Sequence, residues 1–226
     1  MIVVVGLPAY VGLASGEGSA GGPAVDVAAA AVAGGAAVEL VGKVGDDGAG
    51  DAVVLALGRM GVGRAAMLRD AAHPTPVLSL ASAEEAPDEE AAPGSEPGEA
   101  PDLPAMVLPA DPRERPSLEA GDVSLALRYL AEARAIVLAE PLTDAAVAAA
   151  VEGAAFAGAH LVVVVQPGAT PPLLPPEATV LEAPAVDDGS FGRLGGSFAA
   201  ARDSGARPGE AFEAAVQAAG WEPVAD

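Results

Sequence analysis

The chain has 226 residues, 51% of them hydrophobic and 3% aromatic, with a mean hydropathy of +0.38; this is enough apolar material for one sizeable core and excludes a disordered chain. Thirty-two acidic residues against 11 basic ones give a formal charge of −21, a field that repels phosphate backbones and anionic lipid and so argues against nucleic-acid and membrane partners. There is no cysteine, which excludes disulfides, thiolate nucleophiles and cysteine-based metal sites.

"IVVVG" at 2–6 is a continuous β-branched run ending in glycine, the pattern of a central parallel strand buried on both faces. The surrounding "MIVVVGLPAYVGL" has no basic segment and is broken by Gly6 and Pro8 before it reaches membrane-spanning length, so a cytoplasmic location is expected. "GEGSAG", Gly16 to Gly21, matches G-x-G-x-x-G by its letters. It starts well after the first strand ends, and it reads as a flexible loop rather than a dinucleotide turn. Residues 24–36 then predict an alanine-rich helix stopped by Gly34-Gly35, residues 37–45 a strand, and residues 51–62 a second helix with Gly61 as its C-cap. "TPVLSLA" at 75–81 gives another strand signal.

Residues 83–104 change abruptly to acidic and proline-rich composition with little to bury, the signature of a solvated loop. A short strand is expected at 105–110. An amphipathic helix follows at 122–133, with Val123, Leu127 and Leu130 on one face. The alternation continues with a strand at 134–140, a helix at 143–159 capped by Thr143, a strand at 160–168, a short strand at 178–184, and helices at 195–205 and 208–220. Repeated β/α alternation with continuous apolar strands predicts an α/β three-layer sandwich with a mostly parallel central sheet, in one domain spanning 1–226.

Several motifs then stand in a recognisable order: Gly21-Gly22 before a helix, "GKVGDDGAG" from Gly42 to Gly50, Gly61-Val62 closing the next helix, "PTP" at 74–76, and Gln166-Pro167 after a strand. Together they resemble the ribokinase or PfkB-type carbohydrate kinase family over about residues 1–78 and 106–221. The resemblance implies a ribokinase-like fold with a reduced lid over residues 75–109, and a site that holds a sugar or nucleoside hydroxyl against the γ-phosphate of ATP with Mg²⁺. It also implies a homodimer through the lid. In active members an aspartate in a Gly-Ala-Gly-Asp turn takes the alcohol proton, and amides of that turn cradle the phosphoryl group.

Aligning "GGSF" with the family's Gly-Asp-x-Phe keeps Gly195 as the last glycine, puts Gly196 on the aspartate and puts Arg193 on a preceding glycine. Anchoring on Val186-Asp187 puts Arg193 on the aspartate instead. Neither frame supplies a base there. Asp187 and Asp188 are the alternative catalytic candidates, or else belong to a solvated turn or a cap. Arg193, Gly195 and Gly196 are the candidate phosphate contacts, and Gly21, Gly22 and Asp26 the candidate substrate contacts; Asp26 also reads as a helix-dipole charge. The family's Asn-x-x-Glu and Thr-x-Gly segments have no counterpart, and the chain has no asparagine at all. No metal ligands stand out, and His73 and His160 read as structural. The expectation is a truncated, degenerate relative with weak or absent kinase activity, or a protein that binds a sugar or nucleoside without turnover, or a dimeric scaffold.

Overall fold

A computed structural model describes residues 1–12, 18–78, 114–185, 187 and 189–221. The expected acidic loop at 83–104, the expected strand at 105–110 and Asp188 lie outside the described residues. β1 (Ile2–Val5) is buried along its whole length, with Ile2 and Val4 in one core cluster and Val3 and Val5 in the other. This two-residue period places a strand between two apolar layers. Around it lies a six-stranded sheet of order β5-β4-β1-β7-β8-β9, formed by β4 (Val38–Gly45), β5 (Met67–Asp70), β7 (Ala135–Leu138), β8 (His160–Val165) and β9 (Thr179–Glu182). Every ladder in it is parallel.

Helices cover both faces, as parallel crossovers require. One core cluster joins the sheet to α1 (Pro23–Ala33), α2 (Gly48–Arg59), α5 (Ser190–Asp203) and α6 (Pro208–Ala219); the other joins it to α3 (Ala120–Tyr129) and α4 (Asp144–Ala157). The predicted three-layer α/β architecture with a parallel sheet is the one observed. Among the described residues no helix is long and apolar enough to cross a membrane.

Among the described residues a second sheet has three strands in the order β3-β2-β6: β2 (Ala9–Gly12), β3 (Gly18–Gly21) and β6 (Val77–Leu78). Here the expectation of a flexible loop at 16–21 is corrected: residues 18–21 are a strand antiparallel to β2. The reason is local, because the ring of Tyr10 lies where a side chain at Gly18 would stand, so glycine lets the two strands close. β6 falls inside the segment expected to supply the lid, and it pairs in parallel with β2.

Helix starts also differ from the predicted ones. α2 begins at Gly48 because the Asp47 carboxylate caps it, accepting from Gly50 N at 2.7 Å. The same carboxylate accepts from Thr75 N at 2.8 Å and Thr75 Oγ1 at 2.7 Å, while Thr75 Oγ1 accepts from Gly45 N at 2.9 Å. Burial alone would raise the Asp47 pKa, but these donors, with Arg69, hold it below the usual carboxylate range. The "GKVGDDGAG" and "PTP" strings are thus one clamp between the β4–α2 turn and the approach to β6. α5 begins at Ser190, five residues before the predicted 195.

Candidate functional site

The chain builds the sheet outward from β1 on one side through β4 and β5, then returns to the other side of β1 with β7. The crevice outside the carboxyl ends of β1 and β7 is therefore the topological switch point, where open α/β sheets place their ligands. Leu7 and Glu140 lie there. Glu140 Oε1 accepts a hydrogen bond from the Leu7 N–H. A side chain at Gly6 would come within 2.7 Å of Ala24 Cβ and 3.0 Å of Glu140 Oε1, so glycine is what lets α1 and this carboxylate approach β1.

Leu7, Ala9, Gly22, Pro23, Arg115 and Glu140 enclose a crevice of about 20 Å³, roofed by Pro76 and Leu78 beside the small sheet. That is room for about one water molecule. Burial pushes the Glu140 carboxyl pKa up, and the Leu7 N–H and the Arg115 charge offset only part of this. Gly21 ends β3 opposite Ala9, and Gly22 is the N-cap of α1 at φ 104°, a conformation that favours glycine. The carbonyl of Gly22 accepts from Val25 N at 2.9 Å and Asp26 N at 3.0 Å.

Asp26 does not line this crevice. It lies in the first turn of α1, over Gly192 of α5, where an added Cβ would meet Asp26 Cβ at 2.5 Å. Its side chain is accessible, yet the dense surround and, secondarily, the Asp187 carboxylate raise its pKa. Asp187 stands at the start of α5, where its Oδ1 accepts from Gly189 N at 3.1 Å and Phe191 N at 3.0 Å. Gly189, the N-cap, has φ 84°. The structure thus sets Asp26 near Asp187 across the α1–α5 junction, leaves Gly22 with Glu140, and keeps Gly21 in β3 against Val11.

The remaining candidates sit further along α5 rather than in the turn before it. Arg193 is exposed in the first turns, and its Nη1 would be 3.9 Å from a Cβ at Gly189. Gly195 and Gly196 are buried against α1. A Cβ on Gly195 would meet Val27 Cγ2 at 3.3 Å, and one on Gly196 would meet Ala30 Cβ at 2.6 Å and Ala31 N at 2.8 Å. His73 pairs with Asp70 at 3.0 Å. His160 bonds Thr179 at 2.9 Å. Among the described residues no group of three His, Cys, Asp or Glu could hold a metal ion.

No protein-family model and no curated protein matches the sequence. Solved structures do match the fold. The crystal structure of Sa239 aligns with a TM-score of 0.68 at 14% identity, covering 96% of this chain and 92% of that one. Arabidopsis thaliana ribokinase, complexed with ribose and ATP, aligns with a TM-score of 0.64 at 17% identity over 96% and 90% of the two chains. A putative ribokinase II from E. coli, with ATP and Mg²⁺, gives 0.64 at 13% identity over 95% and 89%. The fold is ribokinase-like.

Within this ribokinase-like frame, two groups at the switch point escape the sequence reading. Glu140 had a signal: a carboxylate directly follows a run of buried residues at the carboxyl end of a strand. Arg115 had none. It sits outside the regular elements and reaches the crevice only through the tertiary fold.

Proposed function

We propose that this ribokinase-like protein binds a sugar, nucleoside or related polyol at the β1–β7 switch point, and that its ATP-dependent phosphorylation of that ligand is weak or absent. The observation that carries the reading is the partly desolvated Glu140 carboxylate facing Arg115 beside Gly22 in an otherwise apolar crevice. A few polar groups converging among apolar walls suit an acceptor and donor pair for neighbouring hydroxyls. A crevice with room for about one water must open to admit a sugar, so the small sheet of β2, β3 and β6 moves away as the ligand enters.

ATP and Mg²⁺ fit the described residues poorly. The α5 amides that would receive a phosphoryl group already serve the Asp187 carboxylate, and Asp26 adds a second carboxylate beside it. A phosphate there meets two like charges and displaced donors. Gly195 and Gly196 are turned into the α1 contact, which leaves exposed Arg193 as the nearby cation.

Thermal unfolding of the purified chain with ribose, ribitol, adenosine and Mg²⁺-ATP, with ADP release measured in parallel, tests the reading. A polyol or nucleoside at about a hundred times its Kd should add roughly 2.7 kcal/mol and raise the midpoint by several degrees. Glu140→Gln should abolish that shift, and ADP release should stay near background. A shift with Mg²⁺-ATP alone, unaffected by Glu140→Gln, or brisk ADP release would overturn it.

A further inference from the structure

A larger cavity, of about 170 Å³, lies on the other side of Glu140. Its floor is made by Leu138 of β7, Val163 and Val165 of β8 and Val147 of α4, all buried in the α3–α4 core layer, with Leu142 and Pro172 at its sides. It opens to solvent past Gln166, Ala169 and Thr170, which are exposed. Leu173, next along the chain from Pro172, is 97% exposed. A concave apolar surface and a fully solvated leucine therefore stand side by side, each leaving apolar area in water.

Among the described residues the charged ones lining the cavity are Glu140 and Asp144, with no lysine, arginine or histidine beside them. Arg115, the counter-charge of Glu140, borders the small crevice and not this cavity. With two carboxylates at its wall and a whole-chain charge of −21, the site repels anions. Two carboxylates make a thin coordination shell for a metal ion, and the apolar floor offers nothing to complete it. The size is telling too, since an apolar cavity of roughly 150 Å³ accepts a benzene ring.

We propose that this cavity binds a small organic cation, an apolar body of about one ring carrying a protonated amine, at a site that adjoins the polyol crevice across Glu140. The ring rests on Leu138, Val147, Val163 and Val165, the ammonium faces Glu140 and Asp144, and Leu173 folds over the occupant. Burial raises the Glu140 pKa, and a cation at this wall supplies the partner that lowers it again.

Benzylammonium, benzyl alcohol and benzoate, three probes of one shape and different charge, separate this from general apolar binding. Each is titrated at constant ionic strength into the ¹⁵N-labelled full chain, and amide shifts are followed at residues 163–170 and at the start of α4. Benzylammonium should saturate at roughly millimolar concentration, at least about fivefold tighter than the alcohol, with no saturation by benzoate. Asp144→Asn should cut the preference for the cation over the alcohol, Leu173→Ser should weaken both, and Val147→Phe should fill the cavity and abolish binding. Asp144 and Leu173 are exposed and lie away from the polyol crevice, so these two variants keep the test valid should Val147→Phe unfold the chain. Equal affinity for the three probes, tightest binding of benzoate, or shifts insensitive to Asp144→Asn and Leu173→Ser would overturn the proposal. Polyol binding, retained or lost, is read separately from the thermal shift with ribose.

Discussion

Gly196 shows how one residue fixes the distance between two helices. A side chain there would run into the Val27 carbonyl oxygen and come within 2.6 Å of Ala30 Cβ and 2.8 Å of Ala31 N, and two of these three atoms are backbone that cannot rotate away. Gly196→Asp, which writes the missing aspartate back into the aligned position, should therefore restore no ADP release and should destabilise the chain by about 3 kcal/mol or more, through overpacking and a buried charge. Urea denaturation checks the second part, with exposed Arg193→Ala as a control expected within about 0.5 kcal/mol of the parent. A glycine that lets a backbone approach phosphate and a glycine that lets two helices touch are the same letter. "GGSF" therefore resembled a catalytic turn. In this fold Gly195 and Gly196 lie within α5, past the start marked by Asp187 and Gly189.

At the scale of elements, β8, β9 and α5 are tied through one imidazole. His160 Nδ1 is 3.2 Å from Arg202 Nη2, a group that can only donate, so Nδ1 accepts and the Nε2–H donates to Thr179 Oγ1 at 2.9 Å. Burial lowers the pKa of His160 and Arg202 lowers it further, while Glu177 opposes. A histidine with a depressed folded pKa contributes its stability in full above the unfolded value of about 6.5, and that contribution is lost as pH falls through the folded value. The unfolding free-energy difference between the parent and His160→Gln should accordingly shrink from about pH 7 to pH 5. A difference that stays constant would show that folding leaves the imidazole pKa unchanged. β1, β7 and β8 were legible in the sequence as continuous apolar runs that need no partner to be recognised. β3, reading "GSAG", and β5, reading "MLRD", were not, because their strand character comes from the neighbour each pairs with. The start of α2 was hidden for a similar reason, since its cap is held by Thr75 from the far side of β5.

For the molecule as a whole, a charge of −21 on 226 residues stores self-repulsion in the compact state. Individual pairs such as Lys43–Asp122 at 2.5 Å relieve it locally. Raising ionic strength from about 0.01 M to 0.15 M shortens the screening length from about 30 Å to 8 Å, so the thermal midpoint should rise. A falling midpoint would mean that the ion pairs outweigh the repulsion. The layer architecture was legible from the β/α alternation, but the switch point was not, because nothing in an apolar run says on which side of β1 the next strand will dock. The small sheet carries a temporal consequence. β6 joins β2 in parallel, Tyr10 opposite Val77, so its third strand arrives only after α1, β4, α2 and β5 have been laid down between them. Its closure entropy is met late and over a long loop. Held among the described residues by a two-residue ladder, the roof of the crevice should be the part of the frame that local unfolding releases first.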